Sequence, residues 1–179
     1  MKYSSKFLLL LTLLLAGTVS AQNIRKSMTL QDLVGEWELT EQEASISDSR
    51  LPDSKERVKE LTRITVDGKE VTIFKRFEDD KGFIERTYVY FADGSGETNR
   101  WIAETGTAME KASKTKWKDG ILIIKGNYKS RLGSMAFESR CRLSNDFLKL
   151  ECEETQFLTG MRPTSLVRGL VTRSVFRRM

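Results

Sequence analysis

Leu33-Val34-Gly35-Glu36-Trp37-Glu38-Leu39 is the stretch that decides the fold. On an extended chain Gly35, Trp37 and Leu39 share one face and Glu36, Glu38 and Thr40 the other, the pattern of a strand with one side buried. Just before it, Thr29-Leu30-Gln31-Asp32 has the spacing of a capping box, so a short helical turn is expected to lead into the strand.

Upstream, Lys2 and Lys6 precede an apolar run from Phe7 to Ala16, and Val19-Ser20-Ala21 supplies small residues for cleavage. This reads as a secretory signal peptide over residues 1–21, leaving a single domain over 22–179 in the periplasm or outside the cell. The apolar run is shorter than the roughly 20 residues that a spanning helix needs, so no stable membrane span is expected. No cysteine follows it to carry a lipid. An uncleaved anchor tethering the same domain is the alternative.

Downstream, turn signals recur at short intervals. Asp67-Gly68 and Asp119-Gly120 are hairpin dipeptides. Taken as two-residue loops, they place Ile64 opposite Val71 and Thr62 opposite Ile73 in the first hairpin, and Trp117 opposite Leu122 and Thr115 opposite Ile124 in the second. Further strands are expected at 83–91, 98–103, 109–117, 121–127, 136–143, 148–154 and 165–177, with turns at 79–82 and 93–96. Residues 43–60 are polar, contain Pro52 and read as a long loop ending in a turn of helix at 54–59. The expected architecture is all-β: one antiparallel up-and-down barrel of about 8–10 strands, whose closure removes exposed edges. Two stacked sheets are the alternative.

The Gly-x-Trp strand, with its helical turn and export signal, resembles the start of lipocalins and, more broadly, of the calycin barrels that include fatty-acid-binding proteins. The spacing of Asp93-Gly94 and of Trp117-Lys118-Asp119-Gly120-Ile121-Leu122 is similar to that of bacterial secreted lipocalin-like domains. The resemblance implies that Gly35 and Trp37 close the barrel base and that an arginine of the last strand packs over the tryptophan. Arg173, on a face with Val171 and Val175, is the candidate. The chain departs from the family in two places. The Thr-Asp-Tyr type motif of the middle strands is missing, and so is the Arg-x-Tyr carboxylate clamp of fatty-acid-binding proteins, because Ser174 stands two residues before Phe176.

Cys141 and Cys152 flank a segment that reads as a hairpin around Asp146-Phe147. A two-residue loop there makes them cross-strand partners in a hydrogen-bonded pair, and an exported chain would oxidise them to a disulfide worth about 3 kcal/mol. Two buried thiols or a redox-active pair are the alternatives.

Removing Lys2 and Lys6 lowers the 30 basic residues to 28 against 25 acidic ones, a mildly basic balance. Arg162, Arg168, Arg173, Arg177 and Arg178 gather near the end, either as a patch for phospholipid or polysaccharide or as solvated strand ends. Nucleic acid is not an expected partner, because no basic stripe with interleaved aromatics is present.

The chain has no histidine. Histidine-based nucleophilic catalysis and histidine metal ligation are therefore excluded, and no catalytic residue, metal or cofactor is expected. Two weaker chemistries are conceivable. Asp79-Asp80, or Glu151, Glu153 and Glu154, could supply paired carboxylates, and Asp93-Gly94-Ser95-Gly96-Glu97 could hold calcium, but that last segment is explained as a hairpin loop.

Trp101, Trp117, Tyr88, Tyr90 and Tyr128 are the notable aromatics. Tyr88 and Tyr90 share a face and, if it looks inward, their hydroxyls could orient a ligand. Two functions stay open: a carrier for a small apolar or amphipathic molecule, and a cell-envelope interaction module, an inhibitor or adhesion domain with a protein partner, acting through its outer surface.

Overall fold

The computed structural model describes residues 27–46, 49–50, 59–80, 82–103, 105–130, 133–159 and 166–179. The leader read at 1–21, Pro52 and the helical turn expected at 54–59 lie outside them, except Lys59, which begins a strand. A 3-10 turn at Leu30–Leu33 is followed by β1 (Gly35–Ile46), β2 (Ser49–Arg50), β3 (Lys59–Asp67), β4 (Glu70–Asp79), β5 (Gly82–Phe91) and β6 (Glu97–Ile102). Then come β7 (Ala108–Lys118), β8 (Ile121–Ser130), β9 (Gly133–Leu143), β10 (Lys149–Thr159) and β11 (Leu166–Arg178). Ten of these strands form a nearly closed antiparallel up-and-down barrel in the order β5-β4-β3-β1-β11-β10-β9-β8-β7-β6, with the two-residue β2 paired to β1. The loop expected to begin at Glu43 starts later, because β1 runs on to Ile46 against β11.

Both hairpin dipeptides form turns, but at different positions. Asp119 and Gly120 both adopt positive φ, 52° and 78°, as the two central residues of a turn that matches strand twist, and Trp117 pairs with Leu122 and Thr115 with Ile124. In the first hairpin the central residues are Gly68, at φ 58°, and Lys69, while Asp67 pairs with Glu70. The pairing is therefore Ile64 with Ile73 and Val66 with Val71, rather than Ile64 with Val71. A slide of two positions keeps every side chain on its face, so the inward set survives the corrected register.

The cysteine hairpin shows the converse. Cys141 and Cys152 are cross-strand partners, as the sequence spacing implies, and are disulfide-bonded. The loop is four residues wide, closed by the Ser144 N–H donating to the Lys149 carbonyl. Widening it by one residue on each side moves the cysteines out of the hydrogen-bonded phase into the closer one, where their Cα atoms stand 4.1 Å apart.

The edges β5 and β6 are not joined by a backbone ladder. Side chains of β6 substitute for it: Asn99 accepts from the Val89 N–H at 2.8 Å and donates to the Val89 carbonyl at 2.9 Å. The Glu97 carboxylate accepts from the Phe91 N–H at 3.2 Å. The amide of Asn99 thus imitates one rung of the missing ladder.

Candidate functional site

One end of the barrel is built to be shut. Trp37 is fully buried, its indole N–H donates to the Leu33 carbonyl at 3.0 Å, and Leu33 is equally buried beneath the 3-10 turn. The cation over the indole is Arg178, 4.6 Å from the ring centroid. Its terminal nitrogen donates to the carbonyls of Asp32 at 2.6 Å and Val34 at 3.3 Å, tying the last strand to the turn before the first. Gly35 takes φ 154° directly against this guanidinium.

Arg173 is therefore not the partner of Trp37. It is exposed on the outer wall and ion-paired with Glu153 at 2.9 Å. Val171 and Val175 suggested the wrong inner face for β11: the residues facing in toward the cavity and base are Thr172, Ser174, Phe176 and Arg178, and Arg178 is the register partner of Trp37. Nor do the terminal arginines form one patch among the described residues, since Arg173 and Arg178 point to opposite sides and the side chains of Arg162 and Arg168 lie outside the description.

Above this floor lies a cavity of about 310 Å³. Its base-proximal wall is apolar, with Leu33, Ile64, Ile73, Leu122, Leu150 and Phe176. The disulfide lies on the same inner wall. Farther along the strands the inward positions turn polar and aromatic. Tyr90, Tyr88, Trp101, Tyr128 and Phe137 form a ladder of rings, each 4.5 to 6.4 Å from the next. Tyr88 and Tyr90, singled out in the sequence, both line the cavity, and Tyr90 is buried. Burial pushes the Tyr90 and Tyr128 hydroxyls well above their ordinary pKa.

The interior also holds charges that sequence reasoning missed. Glu60 is buried and pairs with Lys75 at 2.6 Å, and Thr62 donates to the same carboxylate. Glu154 accepts from the Tyr128 hydroxyl and from Gln156. Glu97 accepts from Ser113 at 2.6 Å and Thr115 at 2.7 Å. Each carboxylate is thus provided for.

Two cations are not provided for in the same way. The Lys111 ammonium, on a side chain only 6% exposed, donates to the Tyr90 hydroxyl at 3.0 Å. Arg86 lines the cavity with its guanidinium carbon 5.7 Å from the ring centres of both Phe77 and Trp101. Its Nε is buried with no hydrogen-bond partner. Arg76 and Arg178 also bury an unpartnered Nε, but Arg76 reaches Glu78 and Glu85, and Arg178 reaches two carbonyls. Among the described residues Arg86 has aromatic walls and no acceptor.

The alternative carboxylate chemistries are dispersed. Glu151 and Glu153 pair outward with Arg142 and Arg173, whereas Glu154 faces in, and Asp79 accepts from the Gly82 N–H across its turn. Asp93 accepts from the Ser95 N–H at 2.9 Å and pairs with Lys69, and the Ser95 bonds hold its carboxyl down at about 2. No group of three potential metal ligands is present among the described residues.

No protein-family model matches the chain, and no curated protein sequence matches it. Among solved structures it is similar to zebrafish ileal bile acid-binding protein in complex with cholic acid, at 14% identity and a TM-score of 0.44, covering 83% of this chain and 99% of that one. It is similar also to the fatty-acid-binding protein from Manduca sexta, at 14% identity and a TM-score of 0.44, covering 80% of this chain and 98% of that one.

Proposed function

We propose that the protein is an exported carrier that holds one small amphipathic molecule in the barrel, apolar body on the floor and acidic group at Arg86. The observation that carries the reading is a half-buried arginine, Arg86, whose Nε is buried without an acceptor and which lines a cavity whose floor is apolar. A cation taken out of water without a partner is costly, and a bound carboxylate, sulfate or phosphate offsets that cost with charge-assisted hydrogen bonds. The volume of about 310 Å³ suits a ligand of modest size.

The test is calorimetric titration of the purified protein with decanoate and with decanol. Decanoate is expected to bind the more tightly, and Arg86→Met to lose roughly tenfold of decanoate affinity while keeping decanol. Equal affinity for the two would remove the acidic group from the reading. Failure of the wild-type protein to bind either would remove the carrier itself and favour a module that works through its outer wall.

A further inference from the structure

Lys111 has surroundings unlike those of Arg86. Its Nζ lies 4.4 Å from the ring centre of Phe137, 5.2 Å from Tyr128, 5.4 Å from Tyr90 and 5.5 Å from Tyr88. Among the described residues it makes no ion pair, and its one hydrogen bond is to the Tyr90 hydroxyl. The amine is thus at the wall of a cavity with an apolar floor, beside a phenol that remains protonated, inside a cage of rings.

We propose that Lys111 captures an apolar aldehyde in this cavity as an imine on Nζ. The neutral amine attacks the carbonyl carbon, a C–N bond forms, and the carbonyl π pair moves to oxygen. That oxygen takes a proton, the ammonium formed on nitrogen gives one up, and a carbinolamine results. The nitrogen lone pair then expels the hydroxyl, which leaves as water with a proton supplied by the Tyr90 phenol, and the iminium nitrogen returns that proton to the phenolate. Overall, one aldehyde and one amine give one imine and one water, with no oxidant or reductant.

Three observations support this chemistry over a purely structural lysine. Burial lowers the Lys111 pKa to about 8, against the pull of Glu154 and Glu97 in the other direction, so the nucleophilic form is well populated just above neutrality. The ring cage that accommodates the ammonium accommodates the protonated imine equally, since both are cations attracted to aromatic faces. Enclosure limits the water that would hydrolyse the product. An aldehyde suits the apolar floor better than an acidic electrophile because it enters uncharged. The proposal requires that the cavity admit an apolar chain, but it does not require Arg86.

The experiment treats the purified protein with one equivalent of decanal, reduces with borohydride and maps the adduct by peptide mass spectrometry. Decanol binding is measured in parallel. Labelling is expected at Lys111 above every exposed lysine, with a yield that climbs as pH passes through 8, and Lys111→Met should lose that label while still binding decanol. Tyr90→Phe should slow labelling by roughly tenfold or more without moving it from Lys111. Label spread over surface lysines to the same extent in wild type and Lys111→Met, with decanol still bound, would overturn the imine alone. Absence of both label and decanol binding in the wild type would overturn the imine and the cavity reading together.

Discussion

The two ends of the barrel interior each contain an arginine against a tryptophan, and the difference between them separates structure from function. At the base, Arg178 lies over Trp37 and donates to the carbonyls of Asp32 and Val34, so its charge is consumed in closing the barrel. Farther along, Arg86 lies against Trp101 and Phe77, and among the described residues no acceptor answers its Nε. The same residue type is a bolt in one place and an unanswered cation in the other. What differs is the supply of main-chain carbonyls: the 3-10 turn presents them beneath Trp37, whereas strand carbonyls around Arg86 are committed to the sheet ladder.

Substitutions can break this comparison. The largest effect is expected from Trp37→Ala, which should cost about 3 to 5 kcal/mol in denaturant unfolding; a loss below about 1 kcal/mol would mean that the base does not depend on the indole. Arg178→Ala should follow at about 1 to 2 kcal/mol, from one cation–aromatic contact and two hydrogen bonds. Arg173→Ala, which removes only an exposed pair with Glu153, should leave the unfolding midpoint unchanged. Reversal of that order would restore Arg173 as the base partner. For the other arginine the sign inverts. Arg86→Met should leave the ligand-free protein as stable as the wild type or slightly more stable, because it removes a half-buried cation whose Nε has no acceptor; clear destabilisation would show that Arg86 is structurally satisfied after all.

A smaller, pH-dependent effect distinguishes the polar half from the base. The Lys111 proton is held to about pH 8 in the folded protein and to 10.5 ordinarily. Below pH 8 both states carry it, and the folded state bears the whole cost of burying the charge. Between those values only the unfolded chain carries it, so stability should rise with pH. Above pH 10 the tyrosines reverse the trend, because Tyr90 and Tyr128 keep their protons in the folded state after the unfolded chain has released them. Thermal unfolding monitored from pH 7 to 11 should therefore show a maximum near pH 10, and Lys111→Met should flatten its rising side. A monotonic fall in the wild type would mean that the aromatic cage and the interior carboxylates keep Lys111 charged.

Much of the base could be read from local sequence. The alternation of one strand put Gly35 and Trp37 on a single buried face, the resemblance to lipocalins implied their place at the base, and the spacing within one hairpin set Cys141 opposite Cys152. Arg178 could not be read that way. Val171 and Val175 look like an inward pair, yet the face of β11 that lines the cavity and base is Thr172, Ser174, Phe176 and Arg178, fixed by its pairing with Leu39 and Trp37 across the barrel closure. The interior charges left a fainter signal. Arg86 falls in phase with Tyr88 and Tyr90, and Lys111 with Thr115 and Trp117, so each is a charge on the face that should be apolar. That irregularity could have marked them.

The sequence alone determined most of the strands, the inward sets of the two Asp-Gly hairpins and the cysteine pairing, all of which depend on residues close together along the chain. Only the tertiary structure decided which cations lie inside and which of them have partners. Tyr90 and Lys111 meet across a separation of 21 residues, and Trp37 meets Arg178 from the opposite end of the barrel sequence. Strand alternation says which way a side chain points. What it meets there depends on closure, which brings β5 against β6 across the Asn99 seam and β1 beside β11, and so determines which interior charges are answered by the protein itself.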